Sequence, residues 1–134
     1  MTSRVTAASY MQKAERALDE ARVLLREAKT EGACSRAYYA MHDAAHAALL
    51  ATGHEAPDAP IKTHHSLIAE FGKKLVLGGQ MDAAFGRAFN KVQDTRQLAD
   101  YSTDPPPPAD AHWAVEQADN FVAAVRIMIT RLGP

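Results

Sequence analysis

Apolar residues recur at three- and four-residue steps along most of the chain, and no stretch alternates in the two-residue rhythm of a half-buried strand. From about Ser3 to Thr30 the stripe Met11, Ala14, Leu18, Ala21, Leu25 and Ala28 predicts a first helix. Lys13, Glu15, Arg16, Glu20, Arg22 and Glu27 fall largely on its other faces. Glu31-Gly32 reads as its end, because glycine is favoured just past a helix. A second helix is predicted from about Ala33 to Thr52, stopped at Gly53, before a loop that holds Pro57 and Pro60. A third spans about Thr63 to Leu75, with Leu67, Ile68 and Phe71 turned inward and Gly78-Gly79 closing the region. The fourth, about Met81 to Leu98, uses Met81, Phe85, Phe89 and Val92 as its core stripe. The run Pro105–Pro108 forms a stiff connector to a last helix, about Ala109 to Leu132. That helix buries Trp113, Ala118, Phe121, Val122, Val125, Met128, Ile129 and Leu132. A lone helix after the prolines cannot fold by itself, so residues 1–134 read as one domain. The fold class is all-α, an up-and-down bundle of about five helices.

Composition narrows the function classes. A formal net charge of −1 gives no global pull toward nucleic acid or an anionic membrane, so an RNA site has to be a local basic patch. Cys34 is the single cysteine, which removes an intramolecular disulfide and a multi-cysteine zinc site. No stretch reaches the ~18 apolar residues of a membrane span, and the N-terminus lacks a signal peptide's apolar run. The expected location is the cytoplasm, with no membrane partner.

The second helix carries the most information. Ser35-Arg36-Ala37-Tyr38-Tyr39-Ala40-Met41-His42-Asp43-Ala44-Ala45-His46 places an arginine, two tyrosines and two histidines among alanines. Small residues allow close helix approach, and polar groups among them must be solvated, paired or used. This segment, with Ala48 and Leu49 after it, resembles the HEPN domain. Thr63-His64-His65-Ser66-Leu67 with Phe71, and Arg96-Gln97-Leu98-Ala99-Asp100-Tyr101, support the resemblance in the family's order. The resemblance implies a helical bundle that often forms homodimers. Many members are metal-independent ribonucleases, frequently toxins whose antitoxin is a small nucleotidyltransferase; others are thought to bind RNA or nucleotide without turnover. In the catalytic branch an arginine is followed, after four to six residues, by histidine near the end of a late helix, and two such sites face each other across the dimer.

This chain departs from that pattern. Five positions after Arg96 stands Tyr101, with Asp100 before it. A phenol with an ordinary pKa near ~10 is a poor general base at neutral pH, where imidazole near ~6.5 is well poised. Arg36 and His42 have the required spacing, but on the second helix, where the family usually has an aromatic in place of His42. Six residues apart, they sit about 120° out of alignment.

Each candidate has a plainer reading beside its functional one. Arg96, Asp100 and Tyr101 form a variant ribonuclease site, with Arg96 steadying a phosphate, or Arg96 and Asp100 form a helical ion pair. In related toxin pairs a tyrosine near this site is modified by the nucleotidyltransferase, and Tyr101 is the nearest equivalent. Arg36, Tyr38 and Tyr39 hold RNA or nucleotide, or Tyr38 packs in the core while Arg36 pairs with a carboxylate such as Asp100 or Glu116. His42 and His46, four apart, supply acid–base groups, pinch a metal with help from His64, His65 or His112, or are core-edge histidines. Cys34 reads as a buried small side chain. Lys73, Lys74, Arg87, Lys91, Arg126 and Arg131 read as a solvated face.

The leading expectation is a HEPN-like module that binds RNA or nucleotide without efficient catalysis and without a cofactor or metal. It dimerises through small and apolar residues of the second and last helices, and pairs with a nucleotidyltransferase. The alternatives are an endoribonuclease toxin using Arg96 with His42 or His46, and a metal-binding bundle.

Overall fold

A computed structural model describes residues 5–133, so Ser3, where the first helix is predicted to begin, lies outside the described residues. The helices are α1 (Ala7–Arg26), α2 (Thr30–Ala51), α3 (His64–Phe71), α4 (Ala83–Tyr101) and α5 (Pro108–Leu132). A π-helical turn, Gly72–Val76, extends α3. Apart from one isolated bridge between Ala56 and Ala59, no extended pairing occurs among the described residues. The all-α expectation holds, and no helix among them is long and apolar enough to cross a membrane.

Local chemistry fixes the helix ends. Thr6 and Ser9 form a reciprocal capping box at the start of α1, with Ser9 N–H donating to Thr6 Oγ1 at 3.0 Å and Thr6 N–H to Ser9 Oγ at 2.8 Å. Thr63 caps α3 and Asp82 caps α4 in the same sense, and Pro108 occupies the first turn of α5. The break between α1 and α2 is not at Glu31-Gly32 as predicted. It falls at Ala28, whose φ of 58° lets Lys29 N–H reach back to the Leu24 carbonyl at 2.8 Å. Gly32 sits inside α2 instead, where a Cβ would come within 3.1 Å of Leu24 Cδ1. Its missing side chain lets α1 and α2 approach, a packing role that sequence spacing cannot distinguish from a terminator.

α2 is the central rod, packed against α1, α3, α4 and α5. Ala33, Ala37, Ala40, Ala44, Ala45, Ala47 and Ala48 are fully buried around it, with Cys34, Met41 and Leu49. Over the first half of the helix Glu31 is exposed and a narrow stripe stays partly open: Gly32, Ser35, Arg36, Tyr39 and His42. These alanines of α2 are therefore packed inside the protomer, which removes them from the predicted dimer contact. α5 keeps its core stripe, but Trp113 and Leu132 are exposed rather than buried and Ile129 only half-buried, because the stripe runs past both edges of the bundle. An aromatic column joins the helices, with Phe121 centred 5.0 Å from Phe71 and 5.2 Å from Phe89. Arg22 reaches Asp119 at 2.7 Å and Arg126 pairs with Glu15, two ties between α1 and α5.

The long loop between α2 and α3 is held by a buried clasp. Glu55, 7% exposed, accepts from His46 Nδ1 with both oxygens, at 2.8 and 2.9 Å, and from Ile61 N–H at 3.1 Å. Tyr10 of α1 stacks on the His46 ring at 4.9 Å, closing it from the other side. Burial pushes the imidazole below its ordinary pKa; His42 adds to this, while Glu55 and Asp43 pull the other way without reversing it.

Two expectations follow. Phe121→Ala should cost about 3–5 kcal/mol in urea unfolding, because it opens the aromatic column that three helices share. A histidine whose folded pKa is depressed contributes stability that is present above its unfolded value, about 6.5, and is lost as pH falls through the folded value. The urea midpoint should therefore drop between pH 7.5 and pH 5, and His46→Gln should make that drop smaller.

Candidate functional site

The open stripe of α2 faces side chains from three other helices. Tyr38, just inside it, is fully buried, stacked on Phe89 at 6.0 Å, and its hydroxyl lies 2.7 Å from His64 Nδ1. Burial drives the phenol above its ordinary pKa, with Tyr39 and Asp43 adding to the rise and Arg96 opposing it. The phenol therefore keeps its proton and donates it in the hydrogen bond. His64 is pushed below its ordinary value by burial and by repulsion from His42, Arg96 and His46. Its Nδ1 is thus the acceptor, and the proton of the neutral ring sits on Nε2.

Arg96 of α4 lies against the same tyrosines. Its guanidinium is 4.9 Å from the Tyr38 ring centre and 5.7 Å from that of Tyr39. Its Nε–H donates to Gln93 Oε1 at 2.9 Å, and Nη1 donates to Asp100 at 2.7 Å. With 12% of its side chain exposed, Arg96 braces the aromatic pair more than it faces solvent. The predicted Arg96–Asp100 ion pair is present. Tyr101 is 88% exposed at the end of α4; five residues on, it points about 140° around the helix from Arg96. These two side chains do not form one site.

Tyr39 is the half-open ring of the pair. The Arg36 guanidinium lies 5.2 Å from its centre, and the rings of His42 and His64 are 5.6 and 5.9 Å away. Arg36, Tyr39 and His42 line a cleft of about 350 Å³ with Lys13, Arg16, Glu20 and Asp43. Arg36 and His42 thus meet at one cleft despite their angular offset, because Tyr39 stands midway and the long arginine spans the rest. The carboxylate partner of Arg36 is Glu20 of α1, at 3.6 Å, rather than Asp100 or Glu116. Asp43 is buried and takes His42 Nδ1 at 3.1 Å. Lys13 and Arg16 have no carboxylate within 4.0 Å among the described residues, so the mouth of the cleft is basic.

Several predicted roles change. Tyr38 is walled in and cannot stack on a base. His46, 3% exposed and clasped by Glu55, cannot meet a substrate. The rings of His42 and His46 lie 4.7 Å apart but edge to face, each with Nδ1 on its own carboxylate. Among the described residues no three His, Cys, Asp or Glu side chains are arranged to hold a metal ion, and His65 and His112 are exposed elsewhere. Cys34 is buried as predicted, its thiol pushed up to about 11 by burial and by Asp110. Lys13, Arg16 and Glu55 were not legible as site residues, and His64 only as a spare ligand: the first two read as a solvated helix face, and Glu55 sits in an irregular loop.

Comparison with known proteins agrees with this architecture. The family profile described as "HEPN domain" matches residues 7–128. The chain is 34% identical over 113 residues to "Putative toxin MJ0605" of Methanocaldococcus jannaschii, covering 84% of this chain and 81% of that protein. It is 32% identical over 113 residues to "UPF0332 protein glr0978" of Gloeobacter violaceus, covering 84% and 82%. A "UPF0332 protein" of Thermotoga maritima is 28% identical over 92 residues, covering 69% and 66%. The chain belongs to the HEPN domain family.

Proposed function

We propose that this chain is an RNA- or nucleotide-binding HEPN module whose contact surface is the basic cleft between α1 and α2. The observation that carries this reading is Tyr39: a half-open ring flanked by Arg36 and Arg96, at the mouth of a cleft that adds Lys13 and Arg16. Cations that track phosphates beside an aromatic face that takes a base are the combination single-stranded nucleic acid requires. The overall charge of −1 is no obstacle, because Lys13, Arg16, Arg36 and Arg96 form a local basic group around the ring. The module acts as a homodimer and pairs with a small nucleotidyltransferase, and the archaeal relative named as a toxin supports placing that pair in a toxin–antitoxin system.

A second reading, a metal-independent ribonuclease, is favoured by one specific observation. His42 and His64, from different helices, have ring centres 5.3 Å apart beside Tyr39 and Arg96. They replace the histidine missing after Arg96 as an acid–base pair, with His64 held neutral and its Nε2–H outward from Tyr38.

Fluorescence anisotropy with a short single-stranded RNA tests the first reading. Tyr39→Ala should weaken binding by about 1–3 kcal/mol, and Arg36→Ala should lower the slope of log affinity against log salt by about 0.7. Wild-type protein that leaves the RNA free at low salt would defeat the binding reading. For the second, incubation with total RNA should give cleavage that is lost in His42→Ala and in His64→Ala. Intact RNA after prolonged incubation, or cleavage that survives both substitutions, would end it.

A further inference from the structure

A groove of about 770 Å³ lies between α4 and the α3–π-turn segment, with His64 at its edge. It is of the size that encloses a small ligand. Its apolar lining is Ile68, Ala69 and Val76, with Gly72 and with Gly86 lying against Val76. One wall is different in kind. Arg87, Asn90, Gln93, Asp94 and Gln97 all line it from α4, so this helix presents three carboxamides, one carboxylate and one guanidinium to the groove.

Gln93 is the informative one. It is 6% exposed, yet its only side-chain hydrogen bond among the described residues accepts Arg96 Nε–H. Because Oε1 must be the acceptor there, the other end of the amide is the NH₂ group. Those two N–H donors have no side-chain partner and border the groove. Next to them, Asp94 is an exposed carboxylate with no cation within 4.0 Å among the described residues, an acceptor only. The same wall therefore carries both an N–H donor and a two-oxygen acceptor.

We propose that this groove takes a guanine base. Guanine is the base whose Watson–Crick edge sets one carbonyl acceptor, O6, beside two N–H donors, N1 and N2. Asp94 accepts both donors, Gln93 donates to O6, and the purine plane lies over Ile68 and Val76. Cytosine and adenine present a ring nitrogen acceptor to the carboxylate, and uracil presents one N–H between two carbonyls, so each leaves Asp94 facing an acceptor. The groove and the cleft are neighbours: His64 lines the first, and its ring is 5.3 Å from His42 and 5.9 Å from Tyr39 in the second. This inference rests on the RNA- or nucleotide-binding reading and adds to it the identity of the base.

The test uses four five-nucleotide RNAs, UUUUU, UUGUU, UUAUU and UUCUU, together with free GMP and AMP, on the full-length protein. UUGUU is expected to bind about tenfold tighter than the other three, the scale of one bidentate base contact. Asp94→Asn, at an exposed position, should remove that preference, so that the variant binds UUGUU and UUUUU equally. Displacement of RNA by GMP and not AMP identifies a free nucleotide as ligand; a preference seen only within the RNA assigns the groove to a guanine in a chain. Equal binding of all four RNAs, or a guanine preference that persists in Asp94→Asn, overturns the inference and leaves the binding reading standing. No binding of any probe overturns both.

Discussion

Everything in this molecule depends on enclosing α2 on nearly every side. A helix surrounded by four neighbours has room for alanine over most of its surface, and any polar group it carries must be satisfied by those neighbours. The chain meets both demands. Its alanines let α1 and α5 close in, helped by Gly32 against Leu24. Tyr38 is met by His64 of α3, His46 by Glu55 of the following loop and Arg36 by Glu20 of α1, while Asp43 pairs with its helix neighbour His42. The site is what remains of this enclosure at its one open edge.

Electrostatics then sorts the histidines into different jobs. His46 is neutral by burial and spends its Nδ1 proton on a carboxylate, so it fastens a loop. His64 is also held neutral, but its bond to a phenol fixes the opposite tautomer and turns an N–H outward. His42 remains partly open between them. Partner and burial thus separate the three imidazoles: His64 faces a hydroxyl, while His42 and His46 each face a carboxylate, His46 buried and His42 partly open. Arg96 belongs to the same arrangement: stacked on both tyrosines and tied to Gln93, it links the basic cleft to the groove that His64 edges.

The five helices were legible because their apolar stripes are long and regular, and because Gly53, Thr63 and the proline run punctuate them with unambiguous chemistry. The α1–α2 break was not, since alanine is rarely left-handed and nothing in its identity distinguishes Ala28 from its neighbours. The burial of Tyr38 and the Arg96–Asp100 pair were also readable, the one from its place among alanines and the other from four-residue spacing. What spacing could not reveal was the meeting of separate helices. Lys13 and Arg16 are ordinary solvated charges until α1 is laid beside α2, and Arg96 meets Tyr38 and Tyr39 only once α4 is packed on α2.

The clasped, many-sided packing of α2 also constrains how such a chain can diverge. One residue inserted into that rod would turn everything beyond it by about 100°, dislodging the core alanines and the tyrosine–histidine contacts together. Length changes are therefore barred from its interior, and variation is channelled to surfaces whose partners are solvent: the outer flank of α4 and the polar flank of α1. A lineage built on this scaffold can alter its exposed flanks while the buried tyrosine–histidine cluster stays the same.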